Sequence, residues 1–261
     1  MIEQDAEIVF NKRVAAGAFL TGLRSPEIVA EARPGQFVMI RVGQGLDPLL
    51  RRPFSICGLL DDLVLVLYRV VGRGTRTLSK AEPGESLQIL GPLGKGFVGP
   101  QAGDHAVLVA GGMGLAPLLF LSRSLVSGSY TFFAGFGSAD QIVKAKELGL
   151  PDAEMSIATD DGSAGHRGRV SGLLEKGLDG LSRDCRMVFS CGPLPMLKAV
   201  AAITRERDIP CQVSLEAAMA CGLGACQGCA VKAASGQNRA YWHVCQDGPV
   251  FDAIRLDWGA I

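Results

Sequence analysis

Residues 219–229 read M-A-C-G-L-G-A-C-Q-G-C, and a further thiol follows at Cys245. Cys221, Cys226 and Cys229 make a C-x4-C-x2-C run with Gly222, Gly224 and Gly228 in its gaps. Thiolates are soft metal ligands. Glycines let a loop turn tightly and leave backbone N–H groups free to point at sulfur. Met219, Ala220, Leu223 and Ala225 are apolar and would keep a bound centre partly dry. This stretch reads as the wrapping of a metal centre, and the remaining chain reads as machinery built to serve it.

The cysteine spacing resembles the plant-type ferredoxin pattern for a [2Fe–2S] cluster, with Cys221, Cys226, Cys229 and Cys245 as its ligands. Two other readings compete. Structural zinc usually takes paired C-x2-C units, and here a single one follows a C-x4-C. Disulfides need an oxidising compartment. The start of the chain, M-I-E-Q-D-A-E-I-V-F, carries acids where an export signal carries bases.

Composition narrows the class. A chain of 261 residues allows about two domains with ample core. Hydrophobic residues make up 48% of it, which fits a globular protein and not a disordered one. The formal charge of +0 gives no reason to expect nucleic acid or an anionic membrane surface as a partner. No stretch is long and apolar enough to span a bilayer, so a cytoplasmic location is expected. Eight cysteines in such a chain favour metal or redox use. Cys57, Cys185 and Cys211 lie apart from the motifs and read as small buried hydrophobes.

Residues 1–100 are strand-rich. Short β-type runs at 7–14, 36–42 and 63–71 alternate with Gly and Pro turns, the pattern of an antiparallel β-barrel or sandwich. Within them lie Arg52-Pro53-Phe54-Ser55 and Tyr68-Arg69-Val70, then Gly74-Thr75 leading into a short helix expected over 76–80. A glycine before a helix N-terminus favours an anion, because the free N–H groups and the helix dipole both attract negative charge.

Residues 101–216 change rhythm. Apolar strand-like runs at 105–110, 130–134, 154–158, 187–190 and 211–215 alternate with helical segments at 118–126, near 140–148, near 170–176 and after Pro193. That alternation predicts a doubly wound parallel sheet, an α/β nucleotide-binding domain. Gly111-Gly112-Met113-Gly114-Leu115-Ala116-Pro117 sits between the first strand and helix, where a nucleotide phosphate loop belongs. Cys191-Gly192-Pro193 ends a late strand on the same sheet edge. After the second strand no arginine pair waits for a 2′-phosphate and Asp140 would repel one, so NAD is expected over NADP. Asp160-Asp161-Gly162 is a turn, or a ribose contact. Glu216 is either a cap for the next turn or a polar group at a cofactor contact, and capping is the simpler role.

Residues 217–261 form a small C-terminal [2Fe–2S] subdomain, too short for a large core of its own unless metal ligation adds to its stability.

R-P-F-S followed by Y-R-V and G-T resembles the flavin site of the ferredoxin–NADP reductase superfamily. The resemblance implies that Arg52 meets the pyrophosphate of FAD and that Pro53 and Phe54 lie along the flavin. It places the Ser55 hydroxyl near flavin N5. Tyr68, Arg69 and Val70 would line the FAD, and Gly74 and Thr75 would hold its phosphates. Phe54 stands where many members carry Tyr, which keeps the aromatic face and loses a hydroxyl. Gly111, Gly112 and Gly114 match the superfamily's nucleotide loop, and Cys191 and Gly192 its segment near the nicotinamide.

The cysteine text S-L-E-A-A-M-A-C-G-L-G-A-C-Q-G-C, then V-C-Q-D-G-P-V-F, closely resembles the electron-transfer subunits of NAD-dependent (class 1B) dihydroorotate dehydrogenases, over essentially the whole chain. That resemblance implies FAD, a [2Fe–2S] cluster and NAD as cofactors. Its partner would be an FMN-containing catalytic subunit, in a heterotetramer of two of each, serving pyrimidine biosynthesis. No catalytic acid or base for the organic step is expected in this chain. Two alternatives stay open: a flavin and iron–sulfur subunit of an NADPH–ferredoxin or sulfide oxidoreductase, and a nucleotide-binding module with a zinc knuckle.

Overall fold

The apolar alternation of the first hundred residues folds as six strands. They are β1 (Ile2–Ala15), β2 (Ala18–Arg24), β3 (Phe37–Arg41), β4 (Arg52–Leu60), β5 (Leu63–Arg69) and β6 (Ser86–Leu93). In this computed structural model they close into an antiparallel barrel in the order β1-β2-β5-β4-β3-β6, with β6 pairing back onto β1. Closure removes the exposed edges that an open sheet would offer to other chains. Ile8, Val38, Ile40, Val64, Val66 and Ile89 fill the interior at 0% exposure. Helices α1 (Pro26–Glu31) and α2 (Arg73–Leu78) interrupt the strand sequence. The description covers residues 1–261 apart from 44, 46, 102, 144–154 and 181–184.

The second half is a seven-stranded sheet. Its parallel strands are β7 (His105–Gly111), β8 (Tyr130–Phe136), β9 (Met155–Thr159), β10 (His166–Arg167), β11 (Cys185–Cys191) and β12 (Cys211–Ser214). The chain works outward from β7 to β10, then returns to lay β11 beside β7. The strand order therefore reverses between β7 and β11, and a crevice opens there at the carboxyl ends of the strands. Helices α3 (Leu115–Ser122), α4 (Val170–Gly180) and α5 (Leu194–Glu206) supply the connections. Of the helix expected near 140–148, residues 139–141 form a single 3-10 turn, and 144–148 lie outside the described residues.

Helix α3 starts three residues earlier than the sequence suggests, because the glycine loop is only one 3-10 turn, Gly112–Gly114, running straight into it. Leu115, Ala116, Leu118, Leu119 and Leu121 are all buried. A helix that is apolar all round must be covered on every side. Barrel residues Leu20, Cys57, Leu65 and Leu67 cover one side, and Leu108, Phe132 and Phe189 of the sheet cover the other, in one continuous core. Each such leucine stabilises the fold by about 1.5–3 kcal/mol. The helix that carries the glycine loop is thereby locked to the barrel, and Arg123 at its end donates to the Leu59 carbonyl of β4 at 3.0 Å.

The C-terminal segment does not stand alone. β13 (Ala230–Lys232) and β14 (Tyr241–His243) form a small hairpin, and β15 (Val250–Asp252) joins the large sheet antiparallel to β12. Cys229, Trp242, Val244, Cys245 and Phe251 share a core with Phe37, Met39 and Leu93 of the barrel and with Val213 and Leu215. A segment too short to bury its own apolar surface has found it in both neighbours. Among the described residues, no helix is long and apolar enough to cross a membrane.

Candidate functional site

The cysteine loop turns through glycines in the left-handed region, Gly222 at φ +74° and Gly224 at φ +79°. Those turns aim amides at sulfur. Leu223 and Cys226 N–H donate to Cys221 Sγ at 3.3 and 3.4 Å, and Gly224 N–H donates to Cys245 Sγ at 3.1 Å. Cys229 and Cys245 bring their sulfurs to 3.2 Å, and both are buried. The amide hydrogen bonds pull the Cys221 thiol down to about 6. Burial, then the neighbouring Cys229 thiol, pushes Cys245 up to about 12.

Among the described residues, no three His, Cys, Asp or Glu side chains gather as ligands of a single ion. The sulfurs pair instead, Cys221 beside Cys226 and Cys229 beside Cys245. Zinc needs four ligands around one ion. A two-iron cluster with four cysteine ligands can take two per iron, so this donor set fits a [2Fe–2S] centre.

Between the barrel, the glycine loop and the cysteine segment lies a cavity of about 300 Å³. Pro53, Phe54, Ser55, Tyr68 and Arg69 wall it from the barrel. Met113 reaches it from the glycine loop, and Glu216, Met219 and Pro249 close it from the C-terminal side. The Phe54 and Tyr68 rings meet edge to face, 5.7 Å apart at 71°. Burial lifts the Tyr68 phenol to about 12, so it stays neutral and donates to Asn11 Oδ1 at 3.2 Å.

Arg52 and Gly74 lie off this wall and meet each other: a β-carbon at position 74 would stand 2.7 Å from Arg52 Nε. An aromatic cavity with a separate seat of arginine and glycine fits a flavin joined to a diphosphate. Helix α2 begins at Arg73, so Gly74 and Thr75 are its first turn and not its approach. The Thr75 hydroxyl accepts from Val71 and Gly72 N–H at 2.9 and 3.1 Å, so it is engaged in capping the helix. Val70 is held by its own N–H, which donates to the Gly17 carbonyl at 2.8 Å.

A second cavity of about 300 Å³ occupies the crevice where the strand order reverses. Gly111, Gly112, Gly135, Gly137 and Pro193 line it. The two glycine turns are pressed together there. A β-carbon on Gly114 would lie 2.1 Å from the Cys191 carbonyl oxygen, and one on Gly192 would lie 2.9 Å from Gly111 Cα. Both obstacles are backbone and cannot swing aside. Gly114→Ala is therefore expected to destabilise the protein by about 1–3 kcal/mol or more, read as a lowered Tm with weakened dinucleotide binding. An unchanged Tm would refute the close approach.

Asp160, not Asp140, lines this cavity, and the Asp140 carboxylate accepts from the Ser138 hydroxyl. Two arginines that motif reading did not place there, Arg69 and Arg169, also wall it. Arg69 belongs to both cavities. Its Nη1 donates to Gln141 Oε1 at 3.0 Å, and its buried Nε and Nη2 have no partner among the described residues. Nothing local in the sequence pairs positions 69 and 141.

Glu216 sits on the wall of the first, aromatic cavity, which favours the cofactor-contact alternative over its expected capping role. Burial holds its carboxyl above the usual carboxylate range. Cys191 is pushed up to about 12 by burial and then by Glu216. Because burial raises this carboxyl in the folded protein above its value in the unfolded chain, its ionisation costs stability as pH rises through the folded pKa. Glu216→Gln should raise the Tm at pH 7, and the gain should vanish below about pH 4.3, where the free carboxyl is protonated too. A gain that persists in acid would exclude titration as its cause. Cys57 and Cys211 are buried as expected, and the Cys185 side chain lies outside the description.

Residues 216–257 match the model of the iron–sulfur cluster binding domain of dihydroorotate dehydrogenase B. The chain is 38% identical over 258 residues to the dihydroorotate dehydrogenase B (NAD(+)) electron transfer subunit of Desulforamulus reducens, covering 97% of this chain and 98% of that one. The corresponding protein of Geobacillus thermodenitrificans is 40% identical over 259 residues, with 97% and 98% covered. Among solved structures, an NADH-dependent reduced ferredoxin-NADP oxidoreductase superposes with a TM-score of 0.80 at 30% identity, over 97% of this chain and 90% of that one. A ferredoxin NADP+ reductase from Neisseria gonorrhoeae with bound FAD and NADP shares the fold, with a TM-score of 0.65 at 16% identity over 78% of this chain and 91% of that one.

Proposed function

The chain belongs to the family of dihydroorotate dehydrogenase B electron transfer subunits, and from that membership we propose that it carries electrons from a dihydroorotate-oxidising partner subunit to NAD+. The observation that carries this reading is the shared flavin cavity, walled by the barrel, the dinucleotide loop and the cysteine segment at once. The cluster would supply single electrons, the nicotinamide takes a hydride, and FAD can do both.

The chain's own residues would set up that exchange. Cys221, Cys226, Cys229 and Cys245 would hold the cluster. Arg52, Gly74 and Thr75 would seat the FAD phosphates, while Pro53, Phe54, Ser55, Tyr68, Arg69 and Val70 would hold its isoalloxazine side. Gly111, Gly112, Gly114, Cys191 and Gly192 would form the dinucleotide cradle at the sheet edge. Met219 on the flavin-cavity wall precedes Cys221 by two residues, a reach of at most about 7 Å, so the two sites are near neighbours. No acid or base for oxidising the pyrimidine is assigned here; that chemistry belongs to the partner, which would carry FMN in a complex of two of each subunit. A ligand set of reduced cysteines suits the cytoplasm.

A second reading, a subunit of an NADPH–ferredoxin type oxidoreductase, is supported by the solved structure at 30% identity. Co-expression with the FMN subunit followed by anaerobic purification separates the two. The expected complex is coloured, contains iron, FAD and FMN, and reduces NAD+ with dihydroorotate. A chain that stays alone and reduces ferredoxin with NADPH would support the second reading, and a colourless zinc protein would end both.

A further inference from the structure

Two stretches of the C-terminal segment, one inside the cysteine loop and one just beyond Cys245, are seated on the barrel. Gly222, next to Cys221, lies on β3: a β-carbon there would stand 2.7 Å from Met39 Cγ and 3.3 Å from Leu93 Cδ1. Beyond Cys245, the Gly248 carbonyl accepts from Lys95 N–H at 2.5 Å. Gly94 has φ +74°, and a β-carbon on it would stand 2.6 Å from both Gly248 O and Pro249 Cδ. Met39 is 0% exposed.

The same barrel residues are tied to the flavin cavity. Met39 pairs with Pro53 on β4, and Leu93 pairs with Phe37 on β3. Phe37, Pro53 and Pro249 all wall the cavity. Met39 and Gly94 therefore hold the cysteine loops on one side and the cavity wall on the other. Neither belongs to a cofactor motif.

We propose that Met39 and Gly94 are positioning residues that fix the spacing between the cluster and the flavin, and so set how fast electrons cross. This rests on the function proposed above. With both groups bound, the crossing would move one electron and make no bond between them: in the direction proposed above the cluster would be oxidised and the flavin reduced, and with NADH as donor the same step would run in reverse. Such a step depends on placement, because the electronic coupling between two centres weakens with every ångström added between them. Gly94→Ala would push Gly248 and Pro249 outward. Met39→Ala would remove the surface on which Gly222 rests. Met39→Leu keeps nearly the same volume and should be tolerated.

The test uses the assembled complex carrying both cofactors, mixed anaerobically with NADH. Gly94→Ala and Met39→Ala should bleach the flavin at the wild-type rate, then reduce the cluster several-fold more slowly than wild type. Met39→Leu should match wild type in both phases. Iron, sulfide and FAD per chain, and the EPR spectrum of the chemically reduced cluster, should be unchanged throughout. Amide exchange at Lys95 should quicken in Gly94→Ala. Wild-type cluster reduction in both Gly94→Ala and Met39→Ala would overturn the proposal. So would loss of iron from both, which would assign these residues to cluster assembly. If Gly94→Ala does not fold, the Met39 pair decides. A wild-type complex lacking iron or FAD would instead count against the function proposed above.

Discussion

Replacing Cys226 with Ser should uncouple this chain from its partner while leaving its flavin chemistry in place. Cys226 is exposed, whereas Cys229 and Cys245 are buried, so its sulfur can be removed without opening a hole in the core. The loop around it is held by other contacts, among them Gly222 against Met39. Loss of one of four ligands should strip or cripple the cluster. Even residues one step removed from a metal typically cost 10–100-fold, so dihydroorotate-dependent NAD+ reduction should fall by more than about 100-fold. NADH oxidation by an artificial acceptor that draws on the flavin should persist, because the barrel and the dinucleotide crevice are untouched. Steady-state assays of both activities on one preparation, with iron and FAD content, make the comparison. Equal loss of the two activities would mean that the cluster does not lie between flavin and partner.

Arg52→Ala should act at the other end of the relay. The Arg52 side chain packs directly on Gly74, where a β-carbon would stand 2.7 Å from Nε, so its charge lies against the first turn of α2. A hydrogen bond to a charged group contributes about 1.5–3 kcal/mol. Its loss should raise the Kd for FAD by about 10–150-fold. Arg52→Lys should recover part of this, since charge remains but the planar fork is lost. Titrating FAD into flavin-stripped protein, followed by fluorescence, gives the number. An unchanged Kd in Arg52→Ala would remove the arginine from the phosphate seat.

The strand alternation of the barrel and the β–α rhythm of the sheet were legible because both follow from local periodicity. The strands expected at 105–110, 130–134, 187–190 and 211–215 lie within a residue or two of those observed. Boundaries shifted where loops proved tighter than composition suggests, as at α2 and α3. Asp140, expected to repel a 2′-phosphate, is not among the crevice residues, whereas Asp160, read as a turn or a ribose contact, lines it. For Glu216 the sequence left two roles, capping as the simpler and a cofactor contact as the other, and the structure sets it on the wall of the aromatic cavity.

From sequence alone come the cysteine spacing, the glycine turns and the flavin and dinucleotide motifs, because each needs its residues at fixed short intervals along one chain. Only the tertiary structure could join β15 to β12, bring Arg69 to Gln141, or rest Gly222 on Met39. Those contacts link positions far apart in the chain. The first and last arise where a short segment with too little apolar surface of its own is buried between two larger cores, and the second where barrel meets sheet; no local pattern encodes which side chains meet there.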